Sequence, residues 1–401
     1  MMKFGRALAT LFATAVFVAL LSDCAKRHPP GETPALERSD WKALGPFSDD
    51  MDFKGLAEAC RGSLQYYRRL DPKSVLKFGP RSVGPKDAAA SLQALLDLLS
   101  DPSLDGPEKL KRIRSRFDLY KSTGRDGAGA VLFTGYYEPW LEGRRQPDGN
   151  FCFPIYQRPS DLLTIDLSAF PLAKSQALIC GRLDGTRIVP YYTREEIDGG
   201  KALAGKGLEL LWFEDPVDVF FLQVQGSGLA TLAGGERVRV QYDGKNCHPY
   251  VSLGRSLIDQ GYLQKGQASM PKIRAFLGQH PADRQRLLDA NPSYIFFRLE
   301  KEGPFGNIGV ALTPWRSVAT DSRLFPKGAL CLIKTEKPVL DENCGVLRWV
   351  SFTRFALNQD TGGAIVSPGR VDLFCGGGKE AEATAGNMQQ MGELYFLLLK
   401  P

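Results

Sequence analysis

The hydrophobic period of this chain changes once, and that change limits the architectures open to it. Between residues 50 and 121 apolar side chains recur every three or four positions. Phe53, Leu56, Cys60, Leu64 and Tyr67 form one such row; Leu110, Ile113, Phe117 and Tyr120 form another, behind the start signals Asp105 and Pro107. That is the spacing of amphipathic helices, and residues 87–99 read as a third. From Ala130 onward short strand-like runs take over: Val131-Leu132-Phe133, Val219-Phe220-Phe221-Leu222, Val238-Arg239-Val240, Tyr294-Ile295-Phe296-Phe297 and finally 393–399. Helices are expected to interrupt them only at 251–263 and 282–290, and the final hundred residues to alternate strands and turns. Helices first and strands afterwards, without βαβ alternation, disfavour a doubly wound parallel sheet. The 42 Gly and 26 Pro follow no fixed period, so the expectation is a mainly β, loop-rich fold with an N-terminal helical segment.

The N-terminus reads as an export signal. Lys3 and Arg6 precede an apolar stretch, 7–21, that is short for a membrane span and of the build of a signal-peptide core. It ends Leu21-Ser22-Asp23-Cys24, similar to a lipobox except that Asp23 stands where a small residue is usual. Two readings stand: a periplasmic protein anchored in the outer membrane by lipid on Cys24, or an ordinary or uncleaved signal peptide. Residues 1–24 are thus assigned to the signal and 25–50 to a Pro-rich, charged tether.

Other classes lose support. The net charge is +6, but basic and acidic residues are interleaved, which leaves no footprint for nucleic acid. Eight cysteines without a CxxC pair, and three histidines far apart, argue against a metal site and a redox motif. No cofactor is expected. Cys331 and Cys344 flank a predicted hairpin and are candidates for a disulfide. Gly376-Gly377-Gly378-Lys379 has Glu380 where a phosphate loop needs Ser or Thr, and Gln225 precedes Gly226-Ser227-Gly228 where a nucleophile elbow needs Gly.

The constellation that carries chemistry is Asp360-Thr-Gly-Gly-Ala-Ile365 followed by Arg370-Val-Asp372-Leu-Phe374-Cys-Gly376. Two carboxyls on strand-like segments, joined by a Gly/Pro turn, can push each other's protonation apart so that one acts as a general acid. On spacing alone, turn or capping aspartates are the better reading.

This run resembles the C-terminal three-aspartate ("3D") domain of the membrane-bound lytic murein transglycosylase A family. Ala319-Thr-Asp321, with Leu324-Phe-Pro326 and Gly328, is similar to the first of the three aspartate segments. Six further runs resemble that family's body in the same order: Phe133-Thr-Gly-Tyr-Tyr-Glu-Pro139, Phe153-Pro-Ile-Tyr156, Phe221-Leu-Gln-Val-Gln-Gly-Ser-Gly228, Gly244-Lys-Asn-Cys-His-Pro-Tyr250, Leu257-Ile-Asp-Gln-Gly261 and Asn291-Pro-Ser-Tyr-Ile-Phe-Phe297. The resemblance spans about residues 130–401.

It implies a double-psi β-barrel made of 51–138 and 301–401, interrupted by an inserted β domain, 139–300, with the substrate groove between them. It implies peptidoglycan glycan strands as the partner, a monomer, Asp372 as the catalytic residue and Asp360 in support. Thr134, Tyr136, Tyr137, Gln225, Ser227 and Asp321 are the expected substrate-binding residues, and Trp140 is a further sugar platform. Glu138 is an acid where the family does not require one. Two other functions stay open: a hydrolase using Asp372 with Glu138, and a non-catalytic wall-binding module.

Overall fold

The computed structural model describes residues 34–170, 178–265 and 268–401. The signal-peptide stretch, Cys24 and the first part of the expected tether lie outside them. The helical period at the start yields Leu56–Arg69, Pro85–Ser100 and Gly106–Arg116. The last begins where Asp105 accepts the Glu108 N–H, 2.8 Å, with Pro107 in the first turn. It stops sooner than the period predicts. Phe117 and Tyr120 belong to a strand, Phe117–Ser122, antiparallel to Gln389–Leu399, because both rings are buried there and the backbone gains ladder partners.

Six strands close a barrel. Gln389–Leu399 lies beside Leu330–Leu340, followed by Val346–Asp360, Ser317–Ala319, Arg370–Gly377 and Val131–Glu138, which pairs back onto Gln389–Leu399. The pairs Ser317–Ala319/Val346–Asp360 and Arg370–Gly377/Val131–Glu138 are parallel and the others antiparallel. This is the double-psi barrel that the resemblance implies. Phe133, Val318, Leu332, Val371, Leu373 and Phe396 are fully buried in its core.

Between the barrel strands Val131–Glu138 and Ser317–Ala319 the chain builds separate sheets. Trp140–Glu142, Ser227–Thr231, Arg237–Lys245 and Ile295–Glu300 make a four-stranded one, and Phe153–Tyr156 pairs with Glu209–Phe213. Among the described residues four α-helices stand in this region, not two: Pro216–Gln225, Leu253–Asp259, Met270–Gln279 and Arg284–Asp289. The run Val219–Leu222, expected as a strand, lies in the first of these, which Asp215 caps by accepting the Val217 N–H, 2.8 Å. A short apolar run suits a buried helix as well as a strand, and here all four of its residues are buried. The all-strand expectation for the final hundred residues also fails, at the helix Lys379–Asn387. That helix packs on Val131–Glu138 and on Met270–Gln279, where Arg274 bridges Asp218 and Glu382 at 2.6 and 3.5 Å.

Two further expectations change. The segment assigned to a tether is built into the fold from Leu36 on: Leu36–Ser39 extends the barrel sheet beside Phe117–Ser122. Asp49 then locks onto Arg316, with both side chains wholly buried, and Asp50 onto Arg354. Cys331 and Cys344 are free thiols. Cys331 pairs with Ala356 at the far end of the hairpin whose turn holds Cys344, nine residues and roughly 30 Å of strand from the turn. Among the described residues the disulfide joins Cys180 to Cys247.

Candidate active site

The two motif aspartates meet across a third strand. Ala319 pairs with Asp360 on one side and Asp372 on the other, and Asp372 pairs with Thr134 in turn. Asp360, Ala319, Asp372 and Thr134 therefore form one row across four strands, with the aspartate Cα atoms roughly 10 Å apart by strand spacing. Alternation sends Val371 and Leu373 into the core and leaves Asp372 and Phe374 on the other face. Phe374 packs there against Tyr136, ring centroids 5.2 Å apart, with Leu312, Ala319 and Ile365.

The carboxyls differ in how far their oxygens are engaged. Both oxygens of Asp360 are taken. Oδ1 accepts the backbone N–H groups of Asn307 and Thr361, each 2.9 Å, and Oδ2 accepts the Tyr136 hydroxyl, 2.9 Å. Asp372 accepts one hydrogen bond, from the Thr134 hydroxyl to Oδ1, 2.7 Å, and no described side chain or N–H donates to its Oδ2. Both are half-buried. Burial pushes the Asp360 carboxyl up to about 6 against its three donors, and the neighbouring Asp372 adds to the rise. Burial also raises Asp372, opposed by the Thr134 hydroxyl and by the charge of Arg370. Arg370 thus bears on Asp372 from its own strand, yet the net direction is upward.

The remaining expected residues take other positions. Tyr137 is buried among Cys375, Ala381 and Ala385, and its backbone N–H donates to the Gln225 side chain, 3.0 Å. Ser227 is buried at the start of its strand, after Gly226 turns the chain with φ 80°. Asp321 is 3% exposed; its carboxylate accepts from Arg323 at three donor atoms and from the Ser367 N–H. The Arg323 hydrogen bonds hold that carboxyl below the ordinary range. Trp140 is 56% exposed and lies against Gly377 and Gly378, where a Cβ on Gly377 would meet its indole at 2.4 Å. Glu138 is buried and ion-paired with Arg239. It stands four residues from the Asp372 row, roughly 13 Å along the strand.

Three contributors escaped the sequence reading. The Asn307 N–H and the Arg239 guanidinium left no signal before the fold was known. Tyr250, 38% exposed on the loop before Leu253–Asp259, lies near enough to Asp372 for that charge to raise its phenol, though burial is the larger cause.

Comparison with known proteins places this geometry. Residues 132–298 match the MltA specific insert domain and residues 316–398 the 3D domain. A membrane-bound lytic murein transglycosylase A of Vibrio cholerae is 34% identical over 69% of this chain and 68% of its own length. The crystal structure of a membrane-bound lytic murein transglycosylase from Agrobacterium tumefaciens superposes with a TM-score of 0.73 at 30% identity, covering 91% of this chain and 98% of that one. Escherichia coli MltA with bound chitohexaose gives 0.68 at 26% identity, over 92% and 95% of the two chains. The fold and its two matched domains are thus shared, and the chain belongs to the membrane-bound lytic murein transglycosylase A family.

Proposed function

We propose that this protein is a peptidoglycan lytic transglycosylase that cleaves the β-1,4 bond between MurNAc and GlcNAc and leaves 1,6-anhydromuramyl ends, with Asp372 as acid and then base. One observation carries the assignment: Thr134 holds Asp372 at one oxygen and no described group donates to the other, while burial raises the carboxyl. Protonated, it can deliver a proton to the leaving GlcNAc oxygen as positive charge develops at the anomeric carbon. Ionised, it can take the proton of the muramyl C6 hydroxyl as that oxygen attacks. The nucleophile belongs to the substrate, so no second carboxylate is required. Attack within one sugar is also favoured by up to about 7–11 kcal/mol where the groups are well oriented. Asp360, engaged at both oxygens, supports the site from the neighbouring position, and Tyr136 and Thr134 orient the two carboxyls.

The hydrolase reading fits less well. Water activation asks for a second carboxylate about 6.5–9.5 Å from the first, and attack by a carboxylate for about 5–5.5 Å. Glu138 is set along the strand and committed to Arg239. Gln225 behind Tyr137, and Trp140 on its glycine shelf, suit the walls of a groove between the barrel and the inserted region, 139–300. Work in the cell envelope follows from the family; periplasmic export and a lipid on Cys24 belong to this proposal.

Digestion of purified sacculi in ¹⁸O water tests the reading. Every released muropeptide is expected to carry an anhydro end, one water lighter than the hydrolytic product and without label, and Asp372→Asn to abolish release. Labelled reducing ends would make the protein a hydrolase, and an active Asp372→Asn would remove Asp372 from the chemistry.

A further inference from the structure

One of the three hydrogen bonds on Asp360 comes from a turn that lies outside the aspartate motifs. Residues 306–310 fold back tightly: the Gly306 N–H donates to the Val310 carbonyl, 3.0 Å, and the Gly309 N–H to the Gly306 carbonyl, 2.8 Å. Gly309 takes φ 66°, which the lack of a Cβ makes easy. On the outgoing limb the Asn307 N–H donates to Asp360 Oδ1, 2.9 Å. Three parts of the molecule hold this turn. From the inserted sheet, the Gln241 amide exchanges hydrogen bonds with both backbone groups of Phe305, 2.9 Å each. From the barrel, the Gln359 carbonyl accepts the Ile308 N–H at 3.4 Å, and Lys327 Nζ donates to Asn307 Oδ1, 2.8 Å. From the N-terminal helix Leu56–Arg69 comes its last residue: Arg69 Nη2 donates to the carbonyls of Ile308 and Gly309, 3.0 and 3.3 Å. No other described donor meets those two carbonyls.

Arg69 is exposed, so burial is not what it adds. A planar guanidinium set on two successive carbonyls fixes their orientation, and with it the returning limb of the turn. We propose that Arg69 is a positioning residue for the active site: by pinning the 306–310 turn it keeps the Asn307 N–H on Asp360 Oδ1, and so helps to keep Asp360 ionised beside Asp372. Arg69 touches no substrate and carries no proton. The consequence for the reaction rests on the transglycosylase reading, in which Asp360 is the like charge next to the acid. A donor to a carboxylate favours its charged form, against the burial that opposes it. The charged and titratable groups around Asp360 are the Tyr136 hydroxyl and Asp372 on its own row, Arg370 beyond Asp372, Lys327 and Arg69 behind the turn, and Asp321, which Arg323 occupies. Only Arg69 belongs to the helical segment that precedes the barrel.

Carbon-13 NMR of the whole protein, labelled at its aspartate carboxyls, reads the effect without catalysis. The Asp360 signal is identified by its absence in Asp360→Asn. In Arg69→Ala its titration midpoint should rise by about one unit, the size of one lost hydrogen bond to a charged group. Arg69→Lys keeps a donor but not the fork, and should recover part of the shift. On sacculi, Arg69→Ala should carry the alkaline limb of kcat/KM to lower pH, in the same direction as Asp360→Asn and less far, because a protonated Asp360 no longer repels the charge on Asp372. An Asp360 midpoint that stays in place in Arg69→Ala would overturn the proposal. If the melting temperature falls while midpoint and limb stay, Arg69 is a structural clamp and nothing more. A midpoint that moves with a limb that does not would remove the link to catalysis and overturn the proposal as well. If the midpoint moves but the protein releases no anhydro product, the transglycosylase reading fails while the hold of Arg69 on Asp360 stands.

Discussion

Thr134 stabilises the ionised form of Asp372 and Asp360 stands beside it as a like charge, so replacing each is expected to separate the two effects. The Thr134 hydroxyl donates to the ionised carboxyl and lowers its pKa. Thr134→Val should therefore raise that pKa and carry the alkaline limb of kcat/KM to higher pH, while lowering kcat through loss of orientation. Burial, helped by the charge of Asp372, pushes the Asp360 carboxyl up to about 6, and repulsion between two carboxylates is mutual. Asp360→Asn removes its charge and should move the limb to lower pH, since the protonated acid is then lost sooner. A pH–rate series on both variants checks the pair; limbs that do not move, or move together, would remove this account of the acid. Their motifs are local, Thr-Gly-Tyr-Tyr holding the donors and Arg-Val-Asp the carboxyl, but spacing alone favours turn aspartates and only the resemblance singles these residues out. Asp321 shows where a motif stops being informative. It matches the pattern as well as Asp360 does, but Arg323 and Ser367 occupy its carboxylate, and no spacing in the sequence announces that.

The packing of Lys379–Asn387 on Val131–Glu138 depends on one missing side chain. A Cβ at Gly135 would lie 2.8 Å from the Ala385 backbone and 3.0 Å from the Cys375 sulfur. Gly135→Ala should push helix and strand apart at a cost of about 1–3 kcal/mol. Because Gly135 stands between Thr134 and Tyr136, it should also lower kcat more than a surface change of equal cost. Thermal melting and sacculus turnover measure the two effects. That helix was missed in the sequence although its signals were present: Gly378 before it and Glu380 and Glu382 in its first turn, which favour a helix N-terminus. The strands that flank the aspartates were legible from alternation, whereas Phe117 and Tyr120 carried a helical period across a true boundary. Periodicity reports burial of a face, and only the ladder beside Gln389–Leu399 decides which element buries it.

At the scale of the molecule, the N-terminal segment is fastened to the barrel through buried charge. Asp49 accepts both terminal nitrogens of Arg316, 2.7 and 2.8 Å, and the N–H groups of Met51, Phe53 and Phe355. Asp49→Ala should cost about 3–5 kcal/mol, because an uncompensated guanidinium stays behind in the core; denaturant unfolding measures it, and a loss below 1 kcal/mol would mean the lock is not closed in solution. Beside it, burial would raise Asp50, but Arg354 and Lys337 outweigh that and hold its carboxyl low. Its contribution is thus present above the ordinary carboxylate pKa, near 3.9, and drains away as the medium becomes more acid. The barrel has one more property, set by the order in which its strands leave the ribosome. Val131–Glu138 emerges early but finds both neighbours, Arg370–Gly377 and Gln389–Leu399, only near the C-terminus. Until those strands emerge Val131–Glu138 keeps unpaired edges, so the barrel cannot close while the inserted region is being made. A nascent chain that cannot close prematurely remains threadable, and one that has lost its last strand has no barrel to close.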